Sequence, residues 1–279
     1  MGKVGFGVKT LYKTAFQSSE CPYCGSRETT LVERKHMILQ LRKCGQCMLS
    51  FRFPKDELSE NNSFYQNAYR ESTVTDLPAT SELPGHIKNN FRNVGRDLTD
   101  HLQTIKAIAP SGKLLDYGSS WGYCVHQFRD AGYDAYGFEI SRTRVEYGRK
   151  MLQVELSHSV ETFADASFDV IYSAHCLEHI PNPAIPLVQF ARLLKPGGHL
   201  FIYVPNCGGA EARKLGVRWG PMIGEKHVLA LTAEFFHNNL PNYGFENLCF
   251  ASSPYASAPQ RYELSALEGE ELLVVGVRS

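Results

Sequence analysis

Apolar residues recur along the chain in two alternating rhythms. Leu98, Leu102 and Ile105 keep helical spacing and predict an amphipathic helix from Arg96 to Ile108. The apolar run 113–117 predicts a strand, and a helix follows through Val125 and Phe128. The pattern repeats: strand 134–138, helix Arg142–Met151, then strand 168–173. A further helix carries Leu187, Phe190, Ala191 and Leu194 on one face and stops at Lys195-Pro-Gly-Gly198, before strand 199–204. Segments 245–250 and 271–278 have no convincing helical pattern between them and predict a closing antiparallel pair. Regular β–α alternation implies an α/β fold, a mostly parallel sheet with helices on both faces.

Upstream the rhythm changes. Residues 1–18 read as a loosely held leader, and Thr29–Val32 and Met37–Arg42 as short strands. Between Pro54 and Gly95 the chain is polar and irregular, with 61–69 as its best helix. This stretch is either a connector or a lid carrying Tyr65 and Tyr69 over a pocket. Three regions follow: leader and small module at 1–55, connector or lid at 56–95, and the main domain at 96–279.

Charge sharpens the division. Formal net charge is zero, but residues 1–55 hold ten Lys or Arg against three Glu, so that fifth is about +7 and the rest about −7. No apolar run reaches the ~18 residues of a membrane span, and the first residues lack a signal-peptide core. A cytoplasmic protein without a membrane partner is expected. Cys21-Pro-Tyr-Cys24 and Cys44-Gly-Gln-Cys47 are separated by nineteen residues, the spacing of a four-cysteine zinc ribbon. A module of about 30 residues cannot build a sufficient core alone, so a structural metal supplies what is missing. Two disulfides or a redox dithiol are the alternative. Cys124, Cys176, Cys207 and Cys249 fall in strands or apolar stretches and read as reduced core residues.

The stretch Asp116-Tyr-Gly-Ser-Ser-Trp-Gly122 joins the first strand to its helix through a glycine-bracketed turn. It is not the dinucleotide pattern, because Ser120 and Tyr123 stand where the second and third glycines would be, which disfavours NAD and FAD. Glu139, at the tip of the second strand, occupies the place of a ribose-binding acid. The D-x-G-x-x-x-G form resembles the first motif of class I S-adenosylmethionine (SAM) methyltransferases. Gly137-Phe-Glu139-Ile-Ser, Phe168-Asp-Val-Ile, Leu177-Glu-His-Ile-Pro-Asn-Pro183 and Leu193-Leu-Lys-Pro-Gly-Gly-His-Leu200 resemble later motifs of that family, in order. Arg218-Trp219, the run 225–232 and Gly244-Phe-Glu246 resemble a subgroup that often carries an N-terminal zinc ribbon and methylates sugars or other small metabolites.

The resemblance implies a Rossmann-like seven-stranded sheet and a SAM site. Asp116, Tyr117, Gly118, Ser119, Trp121 and Gly122 would cradle the methionine part, and Glu139 with Ile140 the ribose. Trp121 or Tyr65 would face the sulfonium, with packing as the alternative for Trp121. Where many relatives meet the adenine amine with an Asp, this chain reads 155–159, leaving Ser157 and His158 for that side. Ser173, Ala174 and His175 complete the set at the end of the fourth strand.

Methyl transfer is an in-line displacement, and a hydroxyl acceptor gains from a base. His227, beside Lys226 and Glu225, is the first candidate, with His175 and His179 after it. His175-Cys-Leu-Glu-His179 also spells an inverted zinc-protease signature. That motif belongs on a helix, and here it follows a strand and runs into Ile180-Pro181. In some ubiquinone-pathway relatives acids and a His in this loop bind a divalent metal; this chain matches Glu178 and His179 but has His175 where a Glu stands. Otherwise Glu178 and His179 shape the methionine pocket and His175 lines the acceptor site.

The favoured reading is a methyltransferase for a small-molecule acceptor, a sugar or secondary metabolite, nucleotide- or carrier-linked forms included. The alternatives are an rRNA or tRNA methyltransferase docking RNA on the basic ribbon, and a scaffold that has lost catalysis. A homo-oligomer is compatible with either enzyme reading.

Overall fold

The computed structural model of the protein describes residues 3–67, 76–255 and 264–279. Tyr69, expected beside Tyr65, lies outside them. In chain order the elements are α1 (Lys3–Phe16), β1 (Thr29–Lys35), β2 (Leu39–Cys44), β3 (Ser50–Phe53), α2 (Leu58–Asn67) and α3 (Leu83–Lys88). There follow α4 (Thr99–Ile108), β4 (Lys113–Tyr117), α5 (Tyr123–Asp130), β5 (Asp134–Phe138), α6 (Arg142–Met151), β6 (Glu155–Ser157) and β7 (Phe168–Ala174). The last are α7 (Ala184–Leu193), β8 (Leu194–Pro205), α8 (Ala210–Leu215), β9 (Leu229–Ala230), α9 (Ala233–Asn239), β10 (Phe245–Ser252) and β11 (Glu271–Arg278).

Seven strands form one sheet in the order β10-β11-β8-β7-β4-β5-β6. Pairing is parallel from β8 through β6, and β11 runs antiparallel between β8 and β10. The expected closing pair is therefore present, with the last strand inserted rather than at the edge. Alternate residues serve opposite faces. Leu115, Ile171, Leu200, Ile202, Leu272 and Val274 pack with α7 and α9 on one face. Leu114, Val170, Tyr172, Phe201, Tyr203, Leu273 and Val275 pack with α4, α5 and α6 on the other. Chain order reverses between β4 and β7, and such a switch point opens a crevice at the carboxyl ends of the strands.

The cysteine module is not a separate bead. β1, β2 and β3 form an antiparallel sheet that β9 completes, with Ser50 opposite Ala230 and Phe51 opposite Leu229. Cys21, Cys44, Leu49, Phe51 and Phe53 share one apolar core with α7, α9 and the main sheet. Nor is the leader loose over its helix α1. Lys13 pairs with Asp56 and Glu60, and Gln17 exchanges hydrogen bonds with the Lys55 backbone at 2.8 and 3.0 Å.

Helix α4 starts later than its pattern suggests. Asp97 Oδ1 accepts the Thr99 N–H and hydroxyl at 3.2 and 2.7 Å, so the helix begins at Thr99 and Arg96 stays outside it. Cys124 is buried, whereas Cys176, Cys207 and Cys249 are half-buried, and all four are unpaired. Among the described residues no helix is long and apolar enough to cross a membrane.

Candidate active site

A cavity of about 780 Å³ opens at the switch point. Its floor is the turn after β4. Gly118 and Gly122 have φ of +91° and +85°, and Ser120 of +51°, so the backbone folds back sharply there. A Cβ on Gly118 would lie 2.5 Å from Cys176 Sγ, so the turn requires glycine. The Gly118 and Ser119 N–H groups donate to Phe138 O, which brings the end of β5 alongside.

That approach sets Glu139 into the cavity wall. Its two carboxylate oxygens accept the Ser120 and Ser141 N–H groups at 3.0 and 2.8 Å. Burial raises its pKa, while those donors and Arg144 oppose the rise. Asp116 is also buried on the cavity wall, and its Oδ2 has no hydrogen-bond partner. Burial and the Glu139 charge push its carboxyl well above the usual range. Arg96 lines the same wall, with its buried Nη2 likewise unpartnered and its guanidinium carbon 5.5 Å from the Tyr123 ring centre.

Around the turn after β7 stands a cluster of histidines and carboxylates. His175 lies 3.5 Å from Glu178 and 3.6 Å from Glu271, and His101 lies 3.4 Å from Glu271. Burial works against a charged His175, yet the two carboxylates raise it to about 10. The same contacts overcome burial at Glu271 and lower it to about 2. His175 is therefore a cation at neutral pH, suited to donating a hydrogen bond rather than to taking a proton.

His179 and His227 meet edge to face at 4.7 Å. His179 Nδ1 faces Lys226 O at 3.1 Å and His227 Nδ1 faces Pro221 O at 2.8 Å. A carbonyl only accepts, so both rings carry a proton on Nδ1, and in the neutral form of each the lone pair is on Nε2. Glu178, 1% exposed, lies behind them with neither carboxylate oxygen hydrogen-bonded. One ligand-capable atom from each of Glu178, His179 and His227 falls within 4.8 Å of the others.

Helix α2 straps across the opening. Asn61 donates to His179 O at 2.8 Å and Gln66 to Ile140 O at 2.5 Å, and Tyr65 lines the cavity.

Of the residues expected from sequence, Asp116, Gly118, Glu139, Ala174, His175, His179 and His227 line the cavity. Others do not reach its wall. Trp121, 3% exposed, is wedged among Phe91, Tyr123 and Tyr147. The Tyr117 hydroxyl turns to Gln189, Ser119 is buried, and Gly122 packs toward Val154 and Leu156. Ser157 Oγ is engaged by Ser159 and Thr162, His158 is exposed, Ile140 offers its carbonyl to Gln66, and Ser173 Oγ donates to Tyr117 O. Arg96, His101, Tyr123, Tyr172 and Glu271 line the wall without having been singled out. Glu271 had a usable signal: a closing antiparallel strand must begin at the carboxyl edge of its parallel neighbour, here opposite Pro205.

The four ribbon cysteines converge as their spacing suggests. Cys21 and Cys47 Sγ are 3.5 Å apart, Cys24 and Cys44 Sγ 3.6 Å, and all four lie within 4.8 Å. A tetrahedral zinc with ~2.3 Å bonds needs sulfurs about 3.8 Å apart, whereas a disulfide needs ~2.05 Å.

The family described as a methyltransferase domain matches residues 90–249, more than half of the chain. The chain belongs to this methyltransferase family. It is 29% identical over 164 residues to 27-O-demethylrifamycin SV methyltransferase of Amycolatopsis mediterranei, covering 53% of this chain and 59% of that one. It is 30% identical over 136 residues to a ubiquinone biosynthesis O-methyltransferase of Thiobacillus denitrificans, covering 45% and 56%. The chain thus spans little more than half the length of these relatives. Among solved structures, a SAM-dependent methyltransferase of Thermotoga maritima superposes with a TM-score of 0.52 at 18% identity, covering 71% of this chain and 95% of that one. Phosphoethanolamine N-methyltransferase 2 of Haemonchus contortus, solved with SAM, gives 0.53 at 15% identity, covering 82% and 62%. At such identities the likeness establishes the class I methyltransferase fold.

Proposed function

We propose that the protein transfers the methyl group of SAM to a hydroxyl oxygen of a small-molecule acceptor, a sugar or secondary metabolite. The observation that carries this reading is a pair of unsatisfied polar groups on one cavity wall. Asp116 Oδ2 and Arg96 Nη2 both lack a hydrogen-bond partner, and a carboxyl and a guanidinium so placed suit the ammonium and carboxylate of a methionine moiety, whose ammonium would favour the ionised Asp116. Glu139, on the adjoining wall, would accept the ribose hydroxyls. The acceptor enters on the side of His175 and His227. His227 Nε2 receives its proton as the oxygen attacks the methyl carbon opposite sulfur, and the His175 imidazolium donates to a neighbouring acceptor oxygen. Helix α2 acts as a lid, and the ribbon holds one structural zinc. The O-methyltransferase names of the two curated relatives favour oxygen as the methylated atom.

The basic ribbon supports RNA docking poorly, because its charges are engaged within the chain. Lys13, Arg27, Lys43 and Arg52 sit in ion pairs, and Lys35 and Lys55 donate to backbone carbonyls.

A second reading concerns the acceptor side. The Glu178 carboxylate, which has ion-pair contacts to His175 and His179 but no hydrogen bond, and the two Nε2 atoms form a donor set that fits a divalent cation. Such an ion, when bound, would polarise an acceptor hydroxyl, and Glu178, His179 and His227 would hold it.

Titration with SAM and with labelled SAM plus a panel of glycosides and phenolic acceptors tests the main reading. Micromolar SAM binding, abolished in Glu139→Ala, is expected; a wild-type protein that binds no SAM sinks it. Elemental analysis decides the second reading, since one metal ion per chain leaves only the ribbon occupied and two favour it.

A further inference from the structure

The segment 220–228, which carries His227 between α8 and β9, meets the loop after β7 through Val228 N–H on Glu178 O at 2.9 Å and His179 Nδ1 on Lys226 O at 3.1 Å. Its other anchor lies in the cysteine module. Arg52, on β3 and 2% exposed, sends Nη1 to the carbonyls of Gly224 and Glu225 at 2.9 and 3.0 Å. Its Nε donates to Pro54 O at 3.2 Å, and Nη2 meets Asp56 at 2.6 Å. The Arg52 backbone N–H donates to Val228 O at 2.8 Å, where β3 pairs with β9. Lys35 adds a bond from Nζ to Ile223 O at 2.5 Å. One ribbon face thus holds the carbonyls of residues 223, 224, 225 and 228, and the turn they form closes with Gly224 N–H on His227 O at 3.0 Å.

We propose that Arg52 is a positioning residue for the acceptor side of the cavity, fixing the turn 224–227 and with it the His227 ring. A planar guanidinium satisfies four acceptors spread in one plane, which an ammonium on a flexible stem does not. Without Arg52 the Gly224 and Glu225 carbonyls lose the donor they share. What remains around them is the turn's own hydrogen bond, the Lys35 bond to Ile223 O, the histidine contacts to Pro221 O and Lys226 O, the Val228 N–H on Glu178 O and the β9 ladder. Among the described residues, the hydrogen bonds and ion pair of the Arg52 side chain all go to Pro54, Asp56, Gly224 and Glu225 and none to the β4 turn, Asp116, Arg96 or Glu139, so the cofactor side does not depend on it directly. The module is then part of the active site's construction, which gives a reason for the metal ribbon being fused to this domain. The kinetic consequence rests on the methyl-transfer reading; the ordering of the segment does not.

The test compares full-length wild type with Arg52→Gln and Arg52→Lys by hydrogen exchange, by titration with S-adenosylhomocysteine, and by the NMR signal of the His227 ring assigned through His227→Gln. In Arg52→Gln, amides of 222–231 should exchange at least about tenfold faster. Those of 113–117 and 168–174 should hold their rates, with S-adenosylhomocysteine affinity within about twofold of wild type. The His227 signal should shift or broaden, and Arg52→Lys should recover part of both effects. Unchanged exchange in 222–231 overturns the proposal, and so does acceleration spread evenly over the chain, which would mark Arg52 as a general stability residue. Should Arg52→Gln fail to fold, Lys35→Met removes the neighbouring anchor. It must show the same local pattern at smaller amplitude, and no change there overturns the proposal equally. A wild type that turns over no acceptor would refute the proposed reaction while leaving the exchange result standing.

Discussion

Arg96→Met offers the sharpest probe of the cofactor geometry. The substitution keeps an unbranched apolar stem against Tyr123 but removes a guanidinium on the cavity wall whose Nη2 has no hydrogen-bond partner. A hydrogen bond to a charged group contributes about 1.5–3 kcal/mol, so losing the contact to a carboxylate weakens binding about 10- to 150-fold. The cation–π contact to Tyr123 is lost as well, but it is present with and without ligand and largely cancels. Two ligands isolate the effect. S-adenosylhomocysteine carries the amino-acid carboxylate, and 5′-methylthioadenosine keeps the nucleoside and sulfur but lacks it. Calorimetric titration of wild type and variant with both closes a cycle. The expected result is a large loss for S-adenosylhomocysteine and a change of no more than about twofold for methylthioadenosine. Equal losses for the two ligands, or no loss for either, would refute the assignment of Arg96 to the methionine end. Asp116→Asn in the same cycle should reproduce the pattern through the ammonium.

Other outcomes follow from the same geometry. Gly118→Ala places a methyl group against Cys176 at a φ of +91°, and strain plus overpacking should destabilise the fold by about 2–4 kcal/mol, read from urea midpoints. His175 has its pKa raised to about 10 in the folded protein from an ordinary value near 6.5, so its stabilisation is complete below about pH 6.5 and fades as pH climbs through 10. The melting temperature should fall across that window, and His175→Gln should flatten the fall. A strong chelator, or Cys44→Ser, should empty the ribbon and lower the melting temperature by on the order of 10 °C, because Cys44 is fully buried in a core shared with the main sheet. An unaltered melting curve in zinc-free protein would remove the structural role of the metal.

The parallel sheet was legible at β4, β5 and β7, which are short and apolar, and Leu114 and Leu115 already announce two buried faces. Three-residue β6 gave no such pattern, and β8 begins at Leu194 and runs through the Pro-Gly-Gly stop expected to precede it. The glycine turn and Glu139 were legible for a covalent reason: their spacing is set by one strand, one helix and the next strand. For Trp121 the sequence left the cavity and core packing open, because adjacency in sequence is not adjacency in space. With Gly122 at a φ of +85°, the chain turns so that the indole enters the core beside Phe91 rather than the cavity. Arg96 escaped notice because its role depends on Asp97 starting the helix two residues later. His175 was legible as a site residue but not as a cation, since one of its two carboxylates, Glu271, lies 96 positions downstream and arrives only through the register of β11 against β8.

The charge asymmetry shows how a compositional signal changes meaning once the fold is known. A +7 segment ahead of a −7 domain reads in one dimension as a polyanion-binding arm. In three dimensions, β9 joins the ribbon sheet and places Lys43 against Glu234 at 2.8 Å, while Lys13 meets Asp56 and Glu60 and Arg52 meets Asp56. The opposite signs are complementary surfaces of one intramolecular joint. Solvent-exposed pairs such as Lys43–Glu234 add little stability, about 1 kcal/mol or less. The buried Arg52 differs, because removing it takes one donor from four partners at once, the Pro54, Gly224 and Glu225 carbonyls and the Asp56 carboxylate. The asymmetry is therefore best explained as the trace of a module that must dock in one orientation to complete the wall carrying His227.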